Sequence, residues 1–376
     1  MYNSLAEGYR FHGMNDLAKK TFQKSLDIYP GSGNARRRLE ALDDHHLMEP
    51  KLMKLPLLLL FLATLGACQP TPADIPRNAA GERWFFWSAD WHPSQEQLVV
   101  GGSNDTFLKI LSTEDFRELK TLPYPGTITQ TKWHPTENRI AIAVQDGKSK
   151  CALLEVDTGK LTELDSITPF GARALGWNRT GDLLAVGDYE GMLTLFDAAG
   201  SFLRRIDLEQ KSIIGLDWHP QENRLVAVGD RIALYDFATD RVQHIEDRPE
   251  DVLMLCVAWH PDGSFFVTGD YGDFEVHHPP LLQYWTADGE RIRAIEESKA
   301  EYRNIAWSPD GTMLATASEQ LRLWDRDGEL LAAAPSENLL WGIDWRRDGE
   351  RLVTTDDGGT IVVWDRKLNP ALDVAY

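Results

Sequence analysis

Seven segments of the chain share one pattern, and a pattern that recurs at a fixed spacing constrains the architecture before any single residue is weighed. "SADWHPSQEQLVVGG" at residue 88 returns as "TKWHPTENRIAIAV" at 131, "LGWNRTGDLLAVGD" at 175 and "LDWHPQENRLVAVGD" at 216. It returns again as "VAWHPDGSFFVTGD" at 257, "IAWSPDGTMLATAS" at 305 and "IDWRRDGERLVTTD" at 343. The anchors are Trp91, Trp133, Trp177, Trp218, Trp259, Trp307 and Trp345, at intervals of 42, 44, 41, 41, 48 and 38. After the tryptophan comes a turn of the type His-Pro-x-x-x or Ser-Pro-Asp-Gly, where Pro and Gly set the dihedrals. An apolar strand with small residues follows, and then a strand ending in "LFD", "LYD", "LWD" or "VWD". Such nearly continuous apolar strands are what sheets covered on both faces require.

This pattern resembles the WD40 repeat, whose period is about 40–45 residues with four strands per blade. Trp324-Asp325 and Trp364-Asp365 carry the literal dipeptide, and Phe196-Asp197 and Tyr235-Asp236 are aromatic variants. The resemblance covers roughly residues 84–376 and implies an all-β, seven-bladed WD40-like propeller over 82–376, with each anchoring tryptophan filling the gap between neighbouring sheets. The Gly-His dipeptide that often opens such repeats is missing from all seven. Two closures of the ring are open. "RKLNPALDVAY" after Asp365 is long enough to give the last blade its own outer strand. The usual WD40 closure borrows a strand from the N-terminal side, here near 74–82, which is proline-rich and poor strand material. Self-completion is favoured.

The repeat also separates architecture from function. His92, His134, His219 and His260 each follow an anchoring tryptophan. A residue that recurs at one repeat position is a turn residue, so these four are set aside. Four residues before each anchor, at the start of the inner strand, the side chain should reach the mouth of the central channel. Those residues are Trp87, Thr129, Arg173, Ile214, Leu255, Arg303 and Trp341. They do not repeat their chemistry, and Trp and Arg are the types that dominate interface hot spots. A second variable position lies past the second strand, at Asn104, Asp146, Tyr189, Arg231, Tyr271, Glu319 and Asp357. In WD40 proteins this rim is the usual partner-binding face, which implies Trp87, Arg173, Arg303, Trp341, Tyr189, Tyr271 and Asp357 as partner-binding residues. Against this, Trp87 and Trp341 belong to blades one and seven and could merely pack together across the closure.

No motif carries chemistry. Gly-x-Ser-x-Gly, Ser-x-x-Lys, His-Glu-x-x-His and a phosphate-binding glycine loop are all absent from the sequence. His277-His278, with Asp270, Asp273 and Glu275 nearby, could hold a metal. Adjacent strand residues face opposite ways, so a loop stiffened by Pro279 and Pro280 is the favoured reading. No metal and no cofactor are expected. Cys151 and Cys256 fall three blades apart, too far for a bridge, and read as buried small apolar residues.

Ahead of the repeat, "MKLPLLLLFLATLGACQP" starts at Met53. A lysine, an uncharged run from Leu55 to Ala67 and small residues before a cysteine read as a signal peptide over 53–67, too short to span a bilayer. Leu65-Gly66-Ala67-Cys68 resembles the lipobox of bacterial lipoproteins, which implies cleavage before Cys68, acylation of its thiol and amine, and a stable anchor. Residues 68–81, with three prolines, read as a tether. "LAEGYRFHGMNDLAKKTFQKSLDIYP", from Leu5, resembles one tetratricopeptide repeat and suggests a short α-helical segment over 1–45. A signal works at an exposed N-terminus, so translation starting at Met53 is favoured over a genuine fusion.

The chain carries a formal charge of −19, and the part after Ala67 holds 30 Lys+Arg against 51 Asp+Glu. A domain that acidic repels nucleic-acid phosphates and anionic headgroups. The expectation is a monomeric, lipid-anchored propeller acting as a non-enzymatic scaffold for a protein or peptide in the cell envelope. Gln69 follows the cysteine where an Asp would retain an enteric lipoprotein in the inner membrane, so the periplasmic face of the outer membrane is favoured. The competing reading is a propeller hydrolase or lyase with its site at the channel mouth. Convergent carboxylates and a histidine in a deep pocket would favour the enzyme, and an aromatic and arginine surface the binder.

Overall fold

The computed structural model describes residues 85–375, apart from 103–106, 125, 146–149, 246–251 and 273–277, and also Lys19, Lys20 and Gln23, which are helical. The chain divides into two compact units, Met1–Ala73 and Asp74–Tyr376. The expected signal, Cys68 and the tether lie outside the described residues, as does all but those three residues of the expected helical segment.

The second unit is a seven-bladed β-propeller: seven antiparallel sheets, each of four consecutive strands. The inner strands are Phe86–Trp91, Thr127–Trp133, Ala172–Trp177, Ile213–Trp218, Met254–Trp259, Asn304–Trp307 and Leu340–Trp345. They pack side by side around a channel, and the seventh returns to the first. Burial falls from the channel outward. In the second strand of blade four, Leu225, Val226, Ala227 and Val228 have no exposed surface. Outer strands such as Phe202–Asp207 alternate between exposed and half-buried side chains, the period-two signature of a sheet with one wet face.

Each anchoring tryptophan packs on the blade before it. Trp133 lies among Val99, Leu108 and Ile110 of blade one, Trp259 on Val226 and Val228 of blade four, and Trp91 on Val353 and Val363 of blade seven. The aspartates that end the third strands close the following hairpin. The Asp325 carboxylate accepts from the Asp327 and Glu329 amides, and that of Asp365 from Lys367 and Asn369. The indoles of Trp285, Trp324 and Trp364 donate to Thr268, Thr316 and Thr354 of the neighbouring strand. The repeated Trp-Asp dipeptide is thus a strand-end device of each blade.

Three of the four histidines after the anchors, His134, His219 and His260, connect blade to blade, while His92 caps only its own turn. His219 Nδ1 accepts the Gln221 and Glu222 amides at 3.2 and 2.9 Å, and its Nε2 donates to the Gly263 carbonyl of blade five at 3.0 Å. His134 and His260 reach Gly181 and Gly311 in the same way. A Cβ on Gly263 would sit 2.5 Å from the His219 ring, and Gly263 has φ +76°, so glycine there meets both the backbone and the packing demand.

Blade seven completes itself. Its fourth strand, Pro370–Ala375, pairs antiparallel with Thr360–Asp365 of the same blade, so the tail after Asp365 supplies the strand that its length allows. The ring is shut by packing and by Asp344, whose Oδ2 accepts the Trp91 amide at 2.8 Å while its carbonyl accepts the Trp91 indole at 3.1 Å.

Candidate functional site

All seven residues four places before the anchors line one narrow pocket in the channel. The backbone explains why. In blades one, two, four and five the pairing of the inner with the second strand slips at Phe86/Ser88, Ile128/Gln130, Ile213/Gly215 and Met254/Cys256. Trp87, Thr129, Ile214 and Leu255 are the extra residues of those β-bulges. Arg173 is skipped between Ala172 and Ala174 in blade three, and Trp341 with Gly342 between Leu340 and Ile343 in blade seven. In blade six the Arg303 amide donates to the Ala317 carbonyl although Asn304 is the residue paired with Ala317. A bulge leaves its extra residue out of the ladder and re-aims the side chain. Here it turns seven side chains from the sheet toward the channel.

The aromatic side of the pocket spans blades one and seven. Trp87 and Trp341 meet edge to face at 4.2 Å, with Phe85 about 6 Å from each. They pack across the closure and line the mouth at once. The Arg303 guanidinium lies 4.2 Å from the Trp341 ring centroid and pairs with Glu301. Reaching the mouth does not leave this arginine open to solvent: the Arg303 side chain is only 13% exposed, because the narrow channel encloses it. Arg173, across the pocket in blade three, makes no hydrogen bond or ion pair among the described residues. Burial pulls its guanidinium down to about 10, so it remains a cation at neutral pH. Part of its surface still faces the channel, yet protein surrounds it.

Several donors in this pocket are unspent. The buried Trp87 and Trp341 indole N–H groups and Arg303 Nε have no hydrogen-bond partner among the described residues. Other polar lining groups serve the ring. Thr129 donates to the Ala172 carbonyl at 2.7 Å, Gln130 Oε1 accepts the Leu175 amide at 2.8 Å, and Asn304 donates to the Trp341 carbonyl at 3.0 Å. No carboxylate or imidazole lines the pocket. Its one thiol, Cys256, is pushed up to about 12 by burial and donates weakly to the Tyr302 carbonyl. A thiol held neutral with no base beside it is a poor nucleophile.

The described residues of the second rim position, Tyr189, Arg231, Tyr271, Glu319 and Asp357, do not line this pocket. Tyr189 donates to Gln145 at 2.7 Å, and Asp357 accepts the Leu339 amide at 3.1 Å. The Tyr271 amide donates to the Leu253 carbonyl. Glu319 sits in a network with Ser298, Ser318 and Arg322. Asn104 and Asp146 lie outside the described residues. So do Asp273, Glu275 and His277 of the suggested metal group. His278, the remaining histidine of the pair, hydrogen-bonds Asp270 at 3.1 Å. Cys151 and Cys256 are both free and buried.

A second tier of charge escaped the sequence reading. The residue just before the anchor is Asp90, Lys132, Asp217 or Asp344 in four blades, where the others have Gly176, Ala258 and Ala306. The Asp90, Asp217 and Asp344 carboxylates accept the anchor amides of the next blade, Trp133, Trp259 and Trp91, at 2.7–2.8 Å. Lys132 pairs with Asp90 at 2.6 Å and feels the charges of Asp344 and Asp217. Burial raises all three carboxyls, Asp217 to about 6. Charge directly before an anchor, against small residues elsewhere, was the signal that could have marked this tier.

With the geometry established, two family models match parts of the chain. Residues 328–365 match the WD domain, G-beta repeat, and residues 189–343 match eukaryotic translation initiation factor eIF2A. Together with seven four-stranded blades, these similarities make the second unit a seven-bladed β-propeller of WD40 type.

Proposed function

We propose that this chain is a lipid-anchored, non-enzymatic scaffold whose bulge-lined channel mouth docks a segment of a protein partner in the cell envelope. WD40-type propellers are in general protein-interaction scaffolds without catalysis. The observation that carries the reading is the convergence of seven residues of unlike chemistry on one pocket, with aromatic and arginine side chains and neither carboxylate nor histidine among its lining. A mouth this narrow admits a side chain or a chain end rather than a folded domain. The Cys68 lipobox supports a lipid anchor, and Gln69 the periplasmic face of the outer membrane. The similarity to eIF2A spans blades three to seven and is carried by the same repeat. A net charge of −19 opposes contact with RNA phosphates, so a role on nucleic acid is not part of the proposal.

The test joins two measurements. Mass spectrometry of the membrane fraction should find an acylated N-terminal peptide beginning at Cys68; abundant peptides from residues 5–40 on the same polypeptide would defeat the proposed start at Met53. Pull-downs from envelope extract should recover a partner with the native chain and lose it with Trp341→Ala or Arg303→Ala. Equal recovery by both variants would move the docking site away from the mouth.

A further inference from the structure

Four observations in the channel mouth point to the chemistry of what enters it. Arg173 has no hydrogen bond or ion pair among the described residues, although protein encloses it. Arg303 is already paired with Glu301 and stacked on Trp341. The indole N–H groups of Trp87 and of Trp341, the latter only 7% exposed, are buried without acceptors. Among the described residues that line the pocket there is no carboxylate. A half-buried guanidinium without an ion pair is costly to keep, as are buried N–H donors. In blade four the corresponding position holds Ile214 and in blade five Leu255, so the fold itself does not need a cation there.

From these observations we infer that the mouth binds one carboxylate of a protein partner, held by Arg173, while the Trp87 and Trp341 indoles donate to carbonyl groups of the same segment. This deepens the docking reading and rests on it. One surplus guanidinium suits a monoanion better than a dianionic phosphate, and its planar fork matches a carboxylate in two-point contact. Ile214 and Leu255, only 4% and 3% exposed, offer apolar surface to the stem of the inserted residue. The carboxylate belongs either to an acidic side chain or to a chain terminus, both of which present the same two oxygens.

Titration of the full chain with short peptides separates these sources. The probes are an acetylated, amidated alanine pentapeptide with a central glutamate, its glutamine counterpart, and the glutamine peptide with a free C-terminus. Inorganic phosphate is the competitor. At least one carboxylate peptide should bind about tenfold or more tightly than the amidated glutamine peptide, the scale of a charge-assisted pair. Preference for the glutamate peptide assigns a side chain, and preference for the free terminus assigns a C-terminus. Binding should move two indole N–H resonances downfield, identified by their loss in Trp87→Phe and Trp341→Phe. Arg173→Gln should abolish the preference, and Arg173→Lys should keep part of it. Equal binding of all three peptides, or none detected up to about 10 mM, the range of weak single-contact binding, would overturn the inference. Tighter binding of phosphate than of either carboxylate peptide would also overturn it. If Arg173→Gln still recovers the envelope partner and Trp341→Ala does not, the mouth docks a protein without reading a carboxylate, and the inference fails while the docking proposal stands.

Discussion

Three residues apart on the same inner strands, the propeller carries two rings of polar side chains with opposite fates. Just before three of the anchors, Asp90, Asp217 and Asp344 are spent on architecture: each accepts the anchor amide of the next blade. Four before the anchor, Arg173, Trp87 and Trp341 are turned into the channel by bulges and leave donors unspent. The contrast shows that polarity in a propeller channel is not by itself a mark of function. What distinguishes the rings is whether the fold supplies the partner.

The predictions that would break this comparison begin with the seams. Trp218→Ala empties the slot that this indole fills between blades three and four and removes its bond to the Gly176 carbonyl. A loss of about 3–5 kcal/mol is expected in chemical denaturation. A loss below about 1 kcal/mol would mean that the anchors do not hold the ring. His219→Ala removes the acceptor of two turn amides and the tie to Gly263. It should cost about 2 kcal/mol, several ordinary hydrogen bonds partly replaced by water.

The tier of aspartates gives a smaller effect with a distinctive pH signature. Burial lifts Asp217 to about 6, above its unfolded value. Below about pH 4 the group is neutral in both states and its contribution is fully present; it is lost as pH rises through the folded value. Asp217→Asn keeps an acceptor for the Trp259 amide and removes the charge. It should raise stability at pH 7.5 by about 1–2 kcal/mol and flatten the fall between pH 4 and 7. Denaturation curves across that range check it, and an unchanged slope would show that the carboxylate is better solvated than its enclosure implies.

The repeat made the blades legible because tryptophan slots and Pro-Gly turns recur in the sequence itself. Self-completion was legible too, from the length of the tail after Asp365. The four-before-anchor ring could be located by counting from Trp91 onward, but the bulges that aim it were not visible. A bulge is a mismatch between two strands, and no residue of the inner strand announces it. The same limit applies to the second rim. Tyr189 and Asp357 vary in type as ligand-contacting residues do, yet their bonds to Gln145 and to the Leu339 amide depend on turn geometry. The aspartate tier stands in the sequence as "DW" and "KW", but the residue before the anchor is charged in only four of the seven blades, so it does not show as a repeat position.

The smallest expected change tests the central claim most directly. The melting temperature of Arg173→Gln, without ligand, should equal that of the native chain or exceed it by a few degrees, since the substitution removes an enclosed charge that makes no ion pair among the described residues. A fall of more than about 4 °C, roughly 2 kcal/mol or more for a domain of this size, would make Arg173 part of the architecture. The two rings would then no longer differ in kind.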